Sequence, residues 1–166
     1  MKPINLFLLL FLQLSFGQKT IPDVIEQFNK NSVPYITVEE LKGTDDVTLL
    51  DAREPEEFKV SHLDNAIYVG YKKFNAEKFL ISFPNKNTPL VVYCSLGVRS
   101  ENIGEKLLKL GYTNVRNLYG GIFEWKNKDN PVVNMNGEET EEVHAFSKMW
   151  GKYLLKGTKI YNKNKK

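Results

Sequence analysis

The chain has 166 residues, 42% of them hydrophobic and 26% charged, with a formal net charge of +3. That length holds one domain with short appendages, and the composition is that of a soluble globular protein. The small positive surplus gives no ground for nucleic acid or an anionic surface as partner, and one cysteine excludes any internal disulfide.

In chain order, residues 1–17 read as a signal peptide. Lys2 supplies the positive start, Leu6 to Leu12 is unbroken apolar, and Ser15-Phe16-Gly17 ends in residues suited to signal peptidase. The apolar stretch is shorter than the roughly 20 residues of a membrane-spanning helix, and Gln13 interrupts it. Export to the periplasm or the extracellular space is therefore expected, with no stable membrane insertion after cleavage. Residues 18–34 form a helical lead-in, with Ile21, Val24, Ile25 and Phe28 near helical spacing and Pro34 as its end. From Tyr35 short apolar strands alternate with amphipathic helices. Strands are predicted at 35–38, 47–52, 66–69, 90–93 and 115–118. Helices are predicted from the Thr37–Glu40 capping box to Lys42, at 55–58, over about 73–82, from about Ser100 to Leu110, and from Ile122. This alternation argues for a parallel sheet with helices on both faces. In the last stretch, 134–166, an acidic run precedes Val143, Phe146, Met149, Trp150, Tyr153 and Leu154, which fall on one helical face, and the chain ends in Lys163 to Lys166. A helix packed on the domain is expected there, with a partner or membrane-surface helix as the alternative.

Cys94 ends the apolar run Leu90 to Tyr93 and opens the loop Cys94-Ser95-Leu96-Gly97-Val98-Arg99 ahead of a helix. A buried strand delivers the sulfur to the carboxyl edge of the sheet, where open α/β sheets bind ligands, and the next helix aims its free amides and positive dipole end at it. Such a thiol ionises easily. In an oxidising compartment a lone cysteine is more chemical than structural.

Upstream stand Leu50-Asp51-Ala52-Arg53-Glu54-Pro55-Glu56-Glu57-Phe58 and Ser61-His62-Leu63-Asp64-Asn65-Ala66-Ile67; downstream stands Asn117-Leu118-Tyr119-Gly120-Gly121-Ile122-Phe123-Glu124-Trp125. Together with the cysteine loop, these motifs closely resemble the rhodanese family of sulfurtransferases, over about residues 35–133. The resemblance implies an α/β fold, a five-stranded parallel sheet flanked by helices on both faces, and no cofactor. It implies that Cys94 takes a sulfane sulfur from a donor such as thiosulfate, holds it as a persulfide and passes it to cyanide, a thiol or a protein acceptor. Ser95, Leu96, Gly97, Val98 and Arg99 then form the substrate loop, their amides curled around an anionic sulfur as a nest. Gly97 supplies the backbone freedom for that curl. Arg99 would hold an anionic donor or depress the thiol's pKa; the alternative is a helix-start arginine facing solvent.

Four residues separate Cys94 from Arg99, whereas phosphatases on this fold place five between nucleophile and arginine, so sulfur transfer is favoured over phosphoryl transfer. Asp51 and Arg53 match the family's Asp-x-Arg and are expected to be architectural. His62 is expected to be a packed loop residue, with Ser61 standing where the family usually has glycine. Gly120, in the Gly120-Gly121 turn, is a backbone necessity at the rim of the site. Two histidines and one cysteine without ligand spacing predict no metal site, and dithiol chemistry lacks its second cysteine. The competing reading is a non-turnover binding or sulfur-carrier module that acts with a partner protein.

Overall fold

The computed structural model of the chain describes residues 19–162, and its first helices start where the sequence supplies caps. Thr20 accepts from the Asp23 amide while Asp23 accepts from the Thr20 amide, so α1 (Ile21–Phe28) opens on a capping box with proline in its first turn. After β1 (Tyr35–Ile36), Thr37 and Glu40 repeat the device at α2 (Val38–Lys42), which Gly43 stops. There follow β2 (Thr48–Asp51), α3 (Pro55–Val60), β3 (Ile67–Tyr68), α4 (Ala76–Ser82), β4 (Leu90–Tyr93), α5 (Val98–Lys109), β5 (Val115–Leu118) and α6 (Gly121–Asn127). The helix after the cysteine begins two residues earlier than predicted because Gly97, at φ 103°, caps it.

The five strands form one parallel sheet in the order β1-β5-β4-β2-β3. β4 is central and buried throughout, as its unbroken apolar run requires. Its side chains alternate: Val91 and Tyr93 join the core under α1, α2 and α6, whereas Leu90 and Val92 join the one under α4 and α5. Helices therefore cover both faces, as expected. From β2 the chain moves toward β3 at one edge, and from β4 it moves the opposite way to β5. The carboxyl ends of β2 and β4 thus bound the crevice where an open α/β sheet accepts ligands. Cys94 is the first residue beyond β4, and Asp51 is the last of β2.

The tail departs from the prediction of a single helix. After β6 (Val132–Val133), the last strand before it, the tail forms β7 (Glu139–Thr140), β8 (Glu142–His144), the four-residue α7 (Lys148–Gly151) and β9 (Thr158–Ile160), with β7 antiparallel to β6 and β8 parallel to β9. Phe146 and Gly157, both at positive φ, interrupt any helix. Val143 and Ala145 are buried from an extended segment, and Tyr153 and Leu154 reach the same core from beyond α7. The apolar spacing that matched a helical face comes from separate short elements. The predicted leader, residues 1–17, and the basic end, residues 163–166, lie outside the described residues. Among the described residues, no helix is long and apolar enough to cross a membrane.

Candidate active site

Two backbone arrangements aim the loop after β4. On its outer side, the carbonyls of Cys94 and Ser95 accept from the Ile122 and Phe123 amides at 2.9 and 3.1 Å, so the first turn of α6 binds the loop's oxygens. On its inner side, the Gly97 amide donates to Cys94 Sγ at 3.2 Å. With its carbonyls tied away, the loop presents N–H groups to the sulfur. The Gly97 carbonyl accepts from Asn117 Nδ2 at 2.8 Å and from Asn29 Nδ2 at 3.0 Å, which fastens the loop to β5 and to the end of α1.

Ser100, in the first turn of α5, has two acceptors for its single hydroxyl proton: Asn117 Oδ1 at 2.7 Å and Sγ at 3.5 Å. The Asn117 amide donates to Gly97, which leaves its oxygen free to accept. Cys94 is buried. Burial pushes its pKa up, but the Arg99 charge and hydrogen bonds from Ser100 and the Leu96 amide outweigh that, and the thiol is held below its ordinary value. A lowered pKa means that the thiolate fraction rises through an earlier midpoint as pH increases. The pH profile of iodoacetamide alkylation should therefore have its midpoint below that of free cysteine, about 8.5, and Ser100→Ala should move it upward. A wild-type midpoint at or above free cysteine would mean that burial dominates.

Arg99 is only slightly exposed and already has a partner. Its Nη1 and Nη2 donate to both oxygens of Glu57 at 2.7 and 2.8 Å, and Nη2 also donates to Ser95 Oγ at 3.0 Å. Glu57, on α3 across the crevice, accepts in addition from Ser95 Oγ and from the Glu54 amide, both at 3.0 Å. Burial alone would raise its pKa, yet the paired guanidinium holds it below the usual carboxylate range. The Phe146 ring covers Arg99 at 4.8 Å. The expected choice between a donor-binding and a solvent-facing arginine thus has a third outcome, a bidentate ion pair at the site's wall.

Asp51 and Arg53 stand behind this wall, both without solvent exposure. Asp51 accepts from the Arg53 amide at 2.9 Å, from Nε at 3.0 Å and from Nη2 at 2.7 Å, and Nη2 also donates to the Ser61 carbonyl at 2.6 Å. Ser61 has extended backbone at φ −166°, so no glycine is needed there. The His62 ring stacks on Phe58 at 4.0 Å between centroids, and its Nδ1 lies 3.1 Å from the Phe58 carbonyl; it is not among the residues lining the cavity at Cys94. Gly120 is the left-handed N-cap of α6. Gly121 is the residue that abuts the loop: a Cβ there would lie 2.2 Å from the Cys94 carbonyl oxygen.

A cavity of about 200 Å³ opens onto Cys94, with Ser95, Leu96, Val98 and Arg99 on the loop side and Phe28, Phe146 and Trp150 opposite. Ser100, Asn117 and these three aromatics carry no local sequence signal that marks them as site residues. An acidic residue in the first turn after Asp51-x-Arg53 is the one local hint, for Glu57. Among the described residues, no cluster of three or more His, Cys, Asp or Glu side chains could hold a metal ion.

The rhodanese-like domain family model matches residues 36–128, from within β1 through α6, the span that carries the cysteine loop and its hydrogen-bond partners other than Asn29 at the end of α1. The chain belongs to the rhodanese-like family. Among its relatives is the adenylyltransferase and sulfurtransferase UBA4 of Candida albicans, 32% identical over 114 residues, a match covering 66% of this chain but only 26% of that protein. Thiosulfate sulfurtransferase GlpE of Coxiella burnetii is 27% identical over 96 residues, 57% of this chain and 85% of that protein. The crystal structure of a rhodanese-related protein from Thermoplasma volcanium superposes with a TM-score of 0.53 at 29% identity, covering 60% of this chain and 97% of that one. The matched span ends before the tail and begins after α1, so Phe28, Phe146 and Trp150 all lie outside the matched residues.

Proposed function

We propose that this rhodanese-like chain is a sulfurtransferase working through a Cys94 persulfide. The thiolate Sγ attacks the outer sulfur of a sulfane donor, the bond joining that sulfur to the donor breaks, and the remainder leaves with the electron pair, as sulfite when the donor is thiosulfate. A nucleophilic acceptor, cyanide or a thiol, then attacks the outer sulfur of Cys94–S–S⁻ and restores the thiolate. The reading rests on one observation above the rest. The sulfur sits at the floor of an open cavity with the Gly97 amide 3.2 Å away, a donor that serves the thiolate and, with the neighbouring loop amides, the longer persulfide anion. The sulfurtransferase names of the relatives support the same chemistry. Lys2, the Leu6 to Leu12 run and Ser15-Phe16-Gly17 support export.

The test is the intact mass of the protein after incubation with thiosulfate and, separately, with polysulfide, with and without reductant, beside Cys94→Ser. One reversible added sulfur atom, absent from the variant, is the expected result. No adduct from either donor on an alkylatable Cys94 would overturn the proposal in favour of a binding module. Expressed in a secreting host, the same spectrum reads cleavage, since a mature chain would begin at Gln18.

A further inference from the structure

The net charge of +3 conceals a segregation along the chain. From Val143 onward there are seven lysines and no acidic residue, so the 142 residues before it, with 16 basic against 20 acidic side chains, are net acidic. Of the described lysines in this segment, Lys156 pairs with Asp129, while Lys148, Lys152 and Lys159 have no acidic partner among the described residues.

The same segment exposes apolar side chains. Phe146 is 45%, Met149 67% and Leu155 76% exposed. They belong to one strip rather than to scattered single positions, and a contiguous apolar patch marks an interaction surface. Phe28, half exposed at the end of α1, meets Trp150 edge to face at 5.7 Å, Trp150 lies 6.1 Å from Tyr153, and Lys152 Nζ stands 5.0 Å from the Tyr153 ring. At one end of the strip Phe28, Phe146 and Trp150 rim the cavity over Cys94. At the other, Leu155, Tyr153 and Lys152 share a hollow with Lys19 and Ile21 at the start of α1. The eight residues of α1 join the two ends, a length of about 12 Å. The acids along the strip are balanced: Glu124 in the hollow pairs with Lys128, and Asp23 and Glu26 of α1 lie between Lys19 and Lys30.

Two features favour a lipid surface over an acidic protein. Met149 and Leu155 protrude, and protruding side chains are buried most readily by a medium that yields around them, as acyl chains and headgroups do. The cations from Val143 onward are all lysines. An ammonium on a flexible stem responds to a diffuse negative potential, whereas discrete carboxylates are best met by the planar, bidentate arginine that this segment lacks.

We infer that the strip from Phe146 to Leu155, together with Phe28, is a peripheral docking face for an anionic phospholipid surface. Phe28, Phe146, Met149 and Leu155 enter the headgroup region, Lys148 and Lys152 lie at the level of the phosphates, and the mouth of the Cys94 cavity faces the lipid. Buried apolar area and attraction to anionic headgroups supply the binding together. It is interfacial, since no described helix is long and apolar enough to cross a membrane, and it is independent of the chemistry at Cys94.

The test is co-sedimentation of the protein recovered from a secreting host, its N-terminus read by intact mass, with phosphatidylcholine vesicles and with vesicles that also contain phosphatidylglycerol. Partition should be about twentyfold or more stronger onto the anionic vesicles, from two lysines at about fivefold each, and should weaken as salt rises. Lys148→Gln/Lys152→Gln should remove that preference. Met149→Ser/Leu155→Ser should lower partition about tenfold and leave its salt dependence intact. Ile81→Ser, on α4 and 81% exposed but outside the strip, should bind as wild type does. Iodoacetamide alkylation of Cys94 should slow severalfold on saturating anionic vesicles. The lipid preference, the salt dependence and the alkylation rate are wild-type readouts and do not depend on how a variant folds. Wild-type protein that binds neither vesicle, or binds both alike at every salt concentration, would overturn the lipid assignment in favour of an acidic protein. Equal losses from the Ile81 and tail variants would overturn the strip as the docking face. Unchanged alkylation of vesicle-bound protein would overturn the placing of the cavity mouth against lipid.

Discussion

Gly121→Ala is expected to lower the rate of Cys94 sulfur loading about a hundredfold or more, the scale of effect that a displacement of about 1 Å at a reacting group produces. The added Cβ would lie 2.2 Å from the Cys94 carbonyl oxygen and 2.9 Å from the Ser95 carbonyl carbon and oxygen, all backbone, against 3.4 Å for ordinary contact. No side-chain rotation relieves such a clash. Either the loop retreats by about 1.2 Å or α6 does, and retreat of α6 breaks the Ile122 and Phe123 hydrogen bonds that turn the loop's carbonyls away from the sulfur. The φ of 56° adds strain for any residue with a Cβ, and the stability loss should be about 2–4 kcal/mol, from overpacking and backbone strain together. Gly111→Ala is the matched control. It too has positive φ, at 90°, but nothing lies within 4 Å of the added Cβ, so it should cost about 1 kcal/mol and leave sulfur loading at the wild-type rate. Denaturant midpoints and single-turnover mass spectrometry of both variants decide the matter. Wild-type loading by Gly121→Ala would mean that the contact with α6 does not shape the nest.

What could be read from the sequence was whatever is encoded locally. The Thr37–Glu40 cap, the apolar β4 run, the cysteine loop and the strand-helix alternation each lie within a dozen residues, and each has a propensity or pattern signal. The Glu57–Arg99 pair joins positions 42 apart and exists because β2 and β4 are neighbours in the sheet, a fact of topology that no spacing rule supplies. The aromatic rim is less legible still: Phe28 and Trp150 come from opposite ends of the described chain, and their meeting depends on how the tail folds. Helical periodicity of apolar residues does not report where a chain turns, so the spacing in the tail points to a helix that the chain does not form. Phe146 is the decisive residue there, and no propensity assigns a phenylalanine to the left-handed region. The cysteine and its loop are therefore legible in the sequence, whereas the pairing of Arg99 with Glu57 and the character of the cavity are not.

Asp51→Asn should destabilise the protein by about 3–5 kcal/mol, the scale for stripping the counter-charge from a buried ion. Arg53 and Asp51 have no solvent exposure, and Asp51 is the carboxylate that contacts the guanidinium. Asparagine keeps the shape but removes the charge, so the guanidinium would remain buried against one neutral carbonyl and the Ser61 carbonyl. For a domain of this size the loss corresponds to a fall in melting temperature of about 10 °C. The pair is not stabilising merely because breaking it is costly. Arg53 Nη1 is buried without a hydrogen-bond partner, so part of the desolvation cost is uncompensated even in the intact protein. Arg53→Met alone strands the carboxylate and should cost a similar amount. Asp51→Asn/Arg53→Met removes both charges and should be more stable than the sum of the single effects by about 2–3 kcal/mol, the coupling expected of residues in direct contact. Equilibrium unfolding of the four proteins in urea measures that coupling. Strict additivity would show that the two charges do not stabilise each other, and that the end of β2 is fixed instead by its backbone bonds, such as those the Asp51 carbonyl accepts from Val69 and Gly70 at 3.0 and 3.1 Å. With the coupling present, Arg53 acts as a positioning residue. It ties the end of β2 to the Ser61 carbonyl at the end of α3, the helix that carries Glu57, and so holds the carboxylate that sets the charge beside Cys94.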